Sequence, residues 1–396
     1  MFYRLLLLLC FFLLTGCETL NNLMGEKAED FDPPAELTEF EASLKVTELW
    51  DRNTGKGTDE QYLLLQPKVA ENKIFIADTN NKILALNIEN GRNIWTYTLE
   101  MGGGFFSKGD KVFITGGPGY SGNAVYLGTN NGDVIALDSE TGDELWTSKV
   151  SSEILAPPVK SGNIVIVRTL DGRIFGLNGD SGRRLWTYEK TVPALTLRGT
   201  STPAIDGDII IIGFDSGSLA SLDVNTGSVI WETGITAASG RSELERMVDI
   251  DASPMVSGGI VYVVSFQGQL AALTLDTGRI LWNRDTSSYS GFTVDDDYLY
   301  ITDDHSVIWA FDRFNGASIW KMDGLLNRDL TAPSSVGNYL VVGDFEGYLH
   351  WLDKTTGAFV ARQQISKERF ISPPVIAGNI VYAFTTDGEL AALTYE

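Results

Sequence analysis

Asp138-Ser139-Glu140-Thr141-Gly142-Asp143-Glu144-Leu145-Trp146 is the stretch that decides the fold, because its pattern returns along the chain. Trp146 stands four residues after Gly142, and the pairs Gly182/Trp186, Gly227/Trp231 and Gly278/Trp282 keep that offset. Gly91/Trp95 and Gly316/Trp320 keep it too, with Asn in place of Thr before the Gly. The Trp residues of these pairs, from Trp95 to Trp320, follow one another at 51, 40, 45, 51 and 38 residues. Self-similarity at such a period marks a repeat architecture. Working outward from the Gly-Trp pair, each copy opens with a Gly-Asn or Gly-Asp turn and a β-branched run, such as Ile209 to Ile212 or Ile260 to Val264. A second turn and a short apolar strand follow. Each period holds about four strands of roughly 4 to 7 residues, the content of one propeller blade. No segment offers a sustained helical stripe. A Trp repeated at one register is expected to pack between neighbouring outer strands, which makes Trp95, Trp146, Trp186, Trp231, Trp282 and Trp320 structural residues.

A seventh copy ends at Thr356-Gly357, but Ala361 stands where Trp is expected, leaving the rigidity of that blade in question. An eighth begins at Ser372-Pro373-Pro374 and reaches Glu396 without its outer strand. The missing strand lies at the other end of the chain, where Ser43-Leu44-Lys45-Val46-Thr47-Glu48-Leu49-Trp50 alternates and ends in Trp50. The expected fold is all-β: an eight-bladed β-propeller of four-stranded antiparallel blades over residues 41–396. Its N-terminal strand completes the last blade and closes the ring, so that both open edges are paired.

Composition narrows the chemistry. Among 396 residues there are 30 Lys plus Arg against 52 Asp plus Glu, a net charge of −22, which argues against a phosphate-binding surface and a nucleic-acid partner. Two Cys and two His exclude a disulfide scaffold and a multi-ligand Cys/His metal cluster.

The N-terminus reads as an address. Arg4 precedes an apolar run from Leu5 to Leu14, too short to span a bilayer as a helix and suited to a secretory signal. Leu14-Thr15-Gly16-Cys17 resembles the bacterial lipobox, so residues 1–16 are expected to be removed and Cys17 to carry lipid. Glu18 after the Cys implies, by the same resemblance, delivery to the outer membrane. Residues 17–40 are polar and acidic with Pro33-Pro34 and read as a flexible tether, which at about 3.5 Å per residue reaches at most roughly 80 Å.

Several motifs reduce to bland readings. Gly102-Gly103-Gly104 and Gly116-Gly117-Pro118-Gly119 lack the Lys-Ser/Thr and the helix that phosphate cradling needs, and read as a flexible insertion in the second blade. Asp295-Asp296-Asp297 and Asp303-Asp304 flank the strand Tyr298 to Thr302, which separates them, and read as solvated loops rather than a calcium site. His305 and His350 fall in different blades with no paired carboxylate visible, and His350 is expected to line a strand. The repeat resembles that of the pyrroloquinoline-quinone (PQQ) dehydrogenases, which implies a vicinal Cys pair over the cofactor. This chain has no such pair, so neither an enzyme nor a cofactor is expected.

One pair of blade connections is unlike ordinary polar loops: Val192-Pro193-Ala194-Leu195-Thr196-Leu197-Arg198, and Arg241 to Asp251 one blade further on. Leu195 and Leu197, two apart in an extended segment, point the same way, and adjacent connections share a rim, so Arg198 is expected near Asp249 or Asp251. These residues read either as a docking patch or as a plug between two blades.

With address, tether and repeats together, the chain resembles the propeller-lipoprotein family of the outer-membrane β-barrel assembly machinery (the BAM complex). The resemblance covers essentially the whole chain. It is most specific in Pro193 to Gly199, Glu245 to Asp251 and Val342-Gly343-Asp344-Phe345-Glu346-Gly347-Tyr348-Leu349-His350-Trp351. It implies a non-catalytic scaffold on the periplasmic face of the outer membrane that binds the POTRA domains of BamA. The family's docking residues fall on Leu195, Leu197, Arg198, Asp249 and Asp251. A further reading keeps the scaffold but changes the partner to unfolded outer-membrane proteins that add strands to exposed edges.

Overall fold

The computed structural model of the chain describes residues 33–58, 63–100, 112–198 and 201–396. The expected signal segment 1–16, Cys17, most of the tether and Gly102 to Gly104 lie outside the described residues. A compact unit runs from Ala35 to Glu396, and it contains eight four-stranded antiparallel sheets. In chain order the blades span 68–98, 114–149, 159–189, 204–234, 255–285, 291–322 and 334–364, and the eighth combines 375–395 with the strand Val46–Asn53. Middle strands such as Lys73–Ala77 and Ala124–Thr129 are buried along their whole length, because blades cover both faces. Outer strands such as Asn93–Thr98 bury little besides the Trp.

The Gly-Trp offset has a geometric cause: the two residues serve different neighbours. Each Trp faces a small residue on the third strand of its own blade, as in Ala85/Trp95, Gly176/Trp186 and Ser221/Trp231. Its indole then reaches into the following blade. Trp146 Nε1 donates to Gly179 O at 2.8 Å, Trp231 Nε1 to Leu275 O at 2.8 Å and Trp320 Nε1 to Lys354 O at 2.8 Å. The turn Gly of that following blade lies flat on the ring, with φ of 64–78° for the seven such glycines. A Cβ there would stand 2.4–2.8 Å from the indole, so only Gly fits both the turn and the contact. A bulge precedes every one of these Trp residues and pushes one aliphatic residue outward: Leu49, Ile94, Leu145, Leu185, Ile230, Leu281 and Ile319 are 41–52% exposed. Each outer edge is thereby kinked, which disfavours edge-to-edge pairing.

Ring closure is as expected in kind. Val46–Asn53 pairs antiparallel with Glu389–Tyr395, from Val46 opposite Tyr395 to Asn53 opposite Glu389. The strand runs three residues past Trp50, and a bulge at Leu49 shifts the register that simple alternation assumes.

Ala361 does not weaken the seventh blade. The large and small partners are exchanged there: Trp351 on the third strand faces Ala361 on the outer one. The eighth blade takes its outer strand from residues 46–53, so no turn joins it to 389–395 and no turn Gly is present to receive an indole. Trp351 is instead fully buried one strand further in, with its ring 5.6 Å from that of Tyr395, which meets Tyr339 edge-on at 5.4 Å.

Two further expectations are corrected. Gly116 to Gly119 is not a flexible insertion but part of Ile114–Ser121, the innermost strand of the second blade. A Cβ on Gly119 would stand 2.0 Å from Pro158 O, so the glycines let this strand pass directly against the next connection. His350 does line a strand, but it has a carboxylate partner. Its Nε2 lies 3.0 Å from Asp344 Oδ2, and both side chains are fully buried.

That cluster anchors a strap. Arg328 bonds Asp344 through Nε at 2.8 Å and donates from Nη1 to Ala35 O at 3.1 Å. Arg362 donates from Nε to His350 Nδ1 at 3.1 Å and from Nη1 to Thr38 O at 2.9 Å. Phe40 stacks on Phe359 at 5.4 Å, and the N–H groups of Ser43 and Leu44 both donate to Val360 O. Residues 35–44 therefore lie along the outer strand Phe359–Gln364 and cover Val360, the one bulge residue in this register that is buried. The packed body thus begins at Ala35, before the boundary at 41 that composition suggested.

Candidate docking rim

In a four-stranded meander every outer-to-inner connection returns to the same rim. Three neighbouring connections meet on this part of the rim: 150–158, 190–203 and 235–254. The last is fixed by its apolar residues. Val248 and Ile250 are buried, and Ile250 fits against Gly213, where a Cβ would come within 2.2 Å. Asp249 O accepts from Phe266 N–H at 2.8 Å, and Ile250 N–H donates to Phe214 O at 3.3 Å, so the segment is wedged between the fourth and fifth blades.

Asp249, between Val248 and Ile250, turns its carboxylate toward the 190–203 connection. The Leu197 N–H donates to the Asp249 carboxylate, which joins the two connections. Leu195 and Leu197 stand beside this tie, 41% and 40% exposed. Ile250, by contrast, is packed in the core between the fourth and fifth blades.

Arg198 behaves differently from the expectation. Its guanidinium is not on Asp249 or Asp251. Nη2 donates to Glu153 Oε2 at 2.6 Å, on the preceding connection, while the Arg198 side chain keeps 61% exposure. The cation nearest the aspartates is Arg168, buried and paired with Asp215 at 2.7 Å. Sequence reasoning passed over Glu153, Arg168 and Asp215, since none carries a periodic or motif signal. Leu244, 63% exposed on the 235–254 connection, is a fourth omission.

Among the described carboxylates, Asp215 alone pairs with the Arg168 guanidinium, while Asp249 and Asp251 feel its charge from further off. Both Asp251 carboxylate oxygens are buried and accept no hydrogen bond among the described residues. Burial, reinforced by the charges of Asp249 and Asp215, pushes the Asp251 pKa up to about 7. Burial also raises that of Asp249, to about 6, against the opposing effect of the Leu197 N–H. A carboxyl raised in this way binds more protons folded than unfolded. Its contribution to stability is complete below the unfolded pKa near 3.8 and is lost as pH rises through about 7. Denaturant unfolding at pH 5 and pH 7.5 should therefore show the isolated protein less stable at the higher pH, by on the order of a few kcal/mol. Asp251→Asn should flatten this dependence; an unchanged slope would refute the assignment.

Elsewhere the acidic residues are structural. Asp295 pairs with Lys354 at 3.1 Å, and Asp303 accepts from Trp309 Nε1 at 2.9 Å and from the His305 and Val307 N–H groups. Among the described residues no group of three or more His, Cys, Asp or Glu is arranged to hold a metal ion.

Eight blades linked by Trp residues, with one rim that carries half-exposed leucines, an exposed guanidinium and buried aspartates, define an eight-bladed propeller with a candidate docking rim. Comparison with known proteins specifies the class. A family model described as outer membrane protein assembly factor BamB matches residues 102–322 and 326–396. The outer membrane protein assembly factor BamB of Xanthomonas campestris pv. campestris is 38% identical over 385 residues, covering 96% of this chain and 94% of its own length. That of Escherichia coli K12 is 38% identical over 382 residues, covering 96% of each chain. The crystal structure of BamB from Moraxella catarrhalis superposes with a TM-score of 0.78 at 30% identity, over 88% of this chain and 100% of that one. A europium-containing methanol dehydrogenase superposes with a TM-score of 0.70 at 13% identity over 88% of this chain and 93% of its own, a likeness of fold alone. The chain belongs to the BamB family of outer membrane protein assembly factors.

Proposed function

We infer that the chain is a non-catalytic scaffold of outer-membrane protein assembly, held at the periplasmic face of the outer membrane by lipid on Cys17, and that its rim docks on the POTRA domains of BamA. The observation that carries the docking reading is the Leu195-Thr196-Leu197-Arg198 ledge. It offers aliphatic surface beside an exposed guanidinium, a group enriched in interface hot spots, on a segment already fixed by Asp249. Direct capture of unfolded clients by strand addition fits less well, because the bulges before the Trp residues kink those outer edges.

The test is co-purification. A tagged full chain extracted from the outer-membrane fraction should bring BamA with it, and Cys17→Ser should abolish recovery from that fraction. A chain that purifies alone from membranes would overturn docking; native chain found soluble in the periplasm would overturn anchoring.

A further inference from the structure

The connection at 150–158 supplies none of Leu195, Leu197, Arg198, Asp249 and Asp251, yet it holds the only carboxylate that the Arg198 guanidinium meets among the described residues. The backbone around Glu153 is tightly fixed. Its carbonyl accepts from Leu170 N–H at 2.9 Å, and the next residue, Ile154, donates to Thr129 O at 3.1 Å. Ile154 is fully buried against Gly128, where a Cβ would come within 2.3 Å of it. The Glu153 side chain therefore projects from a rigid base between the second and third blades, and it is only 17% exposed.

Arg198 needs such a support. It lies outside any strand, and its φ of 62° is in the left-handed region, which a residue with a Cβ occupies at a cost unless its surroundings impose it. The segment is held at two adjacent points from opposite sides. Asp249, from the fifth-blade side, takes the Leu197 N–H and fixes the backbone. Glu153, from the third-blade side, takes Arg198 Nη2 and fixes the direction of the side chain. A guanidinium has five N–H donors in a planar fork, so one edge can be held by Glu153 while the others face outward.

Resting on the docking reading above, the geometry points to Glu153 as a positioning residue of the BamA site: it holds the Arg198 fork in the orientation the partner meets. The acceptor that fits is uncharged. With Glu153 already balancing the guanidinium and two carboxylates behind the ledge, a backbone carbonyl is favoured over a carboxylate, which would meet net repulsion. The docking surface then spans three consecutive connections rather than two.

The test is a double-mutant cycle on the full chain, titrated against the purified periplasmic domains of its cognate BamA, with melting temperature measured in parallel. Glu153→Ala should weaken binding by about three- to tenfold, the scale of ordering one long side chain, and leave the melting temperature unchanged. Glu153→Gln, which keeps an oxygen acceptor in place, should restore most of the loss. In an Arg198→Ala background Glu153→Ala should add nothing. Unchanged or tighter binding by Glu153→Ala overturns the assignment, and so does a loss that persists without Arg198, which would make Glu153 a contact in its own right. If Arg198→Ala itself binds normally, the docking reading falls and the role of Glu153 with it. If Arg198→Ala weakens binding while Glu153→Ala does not, only the role of Glu153 falls.

Discussion

A chain shortened to begin at Thr54 should lose the closed ring, and it should aggregate or melt far below the full protein. The shortening removes the strand Val46–Asn53, so Glu389–Tyr395 becomes an unpaired edge over a length of seven residues. It also removes Trp50, which packs on the cluster of Ile74, Leu86, Tyr382 and Leu390 and donates from Nε1 to Ile88 O at 3.3 Å. Loss of a large core aromatic alone costs about 3–5 kcal/mol, and the lost backbone pairing adds to it, against a total stability of about 5–15 kcal/mol for a typical domain. Beginning at Ala35 should cost nothing. Beginning at Glu41 should be intermediate, since it removes the carbonyls that Arg328 and Arg362 hold and uncovers Phe359. Size-exclusion chromatography and denaturant unfolding of the three chains check the order. A monomeric, fully stable chain beginning at Thr54 would refute the closure as an energetic necessity.

The second large effect is on binding. Leu195→Ala with Leu197→Ala, or Arg198→Ala alone, should weaken the BamA complex by at least about thirtyfold, the scale of losing a hot-spot residue worth about 2 kcal/mol. The melting temperature should barely move, because these side chains are exposed on the ledge. Asp249→Ala should weaken binding by releasing the Leu197 N–H, and for that reason its effect should be less than additive with Leu197→Ala. Lys367→Ala, on the connection between the seventh and eighth blades, should do little. Normal binding by the ledge variants would place the interface elsewhere. Loss of binding together with loss of folding would return the two leucines to a packing role.

The blade count and the closing strand were legible because they rest on local signals that return every 38 to 51 residues: Gly for a left-handed turn, Trp four residues later, β-branched runs between. What was not legible depends on contacts between distant residues with no periodic mark. Ala361 looked like a defect because the pattern locates a Trp by position, whereas packing only requires one large and one small partner across a strand pair. The glycines from Gly116 to Gly119 looked flexible because the carbonyl of Pro158 that excludes any side chain there is 39 residues away from Gly119. On the rim, spacing placed Leu195 and Leu197 on one face and the two connections side by side. It pointed Arg198 at Asp249 or Asp251 and missed Glu153, which takes the guanidinium and lies 45 residues earlier with no periodic mark.

The strap over the seventh blade also decides how the ring bears a mechanical load. Seven indoles each clasp the blade that follows, and the step from the seventh blade to the eighth lacks this clasp. Any tension on the chain ahead of Ala35 enters the propeller beside that step. The first links to feel it are the Ala35 and Thr38 carbonyls on Arg328 and Arg362, followed by the Phe40 ring on Phe359. The closing strand lies behind them, so a pull that yields at the arginines is spent on ten residues of extended chain before it reaches Val46, and the ring stays shut.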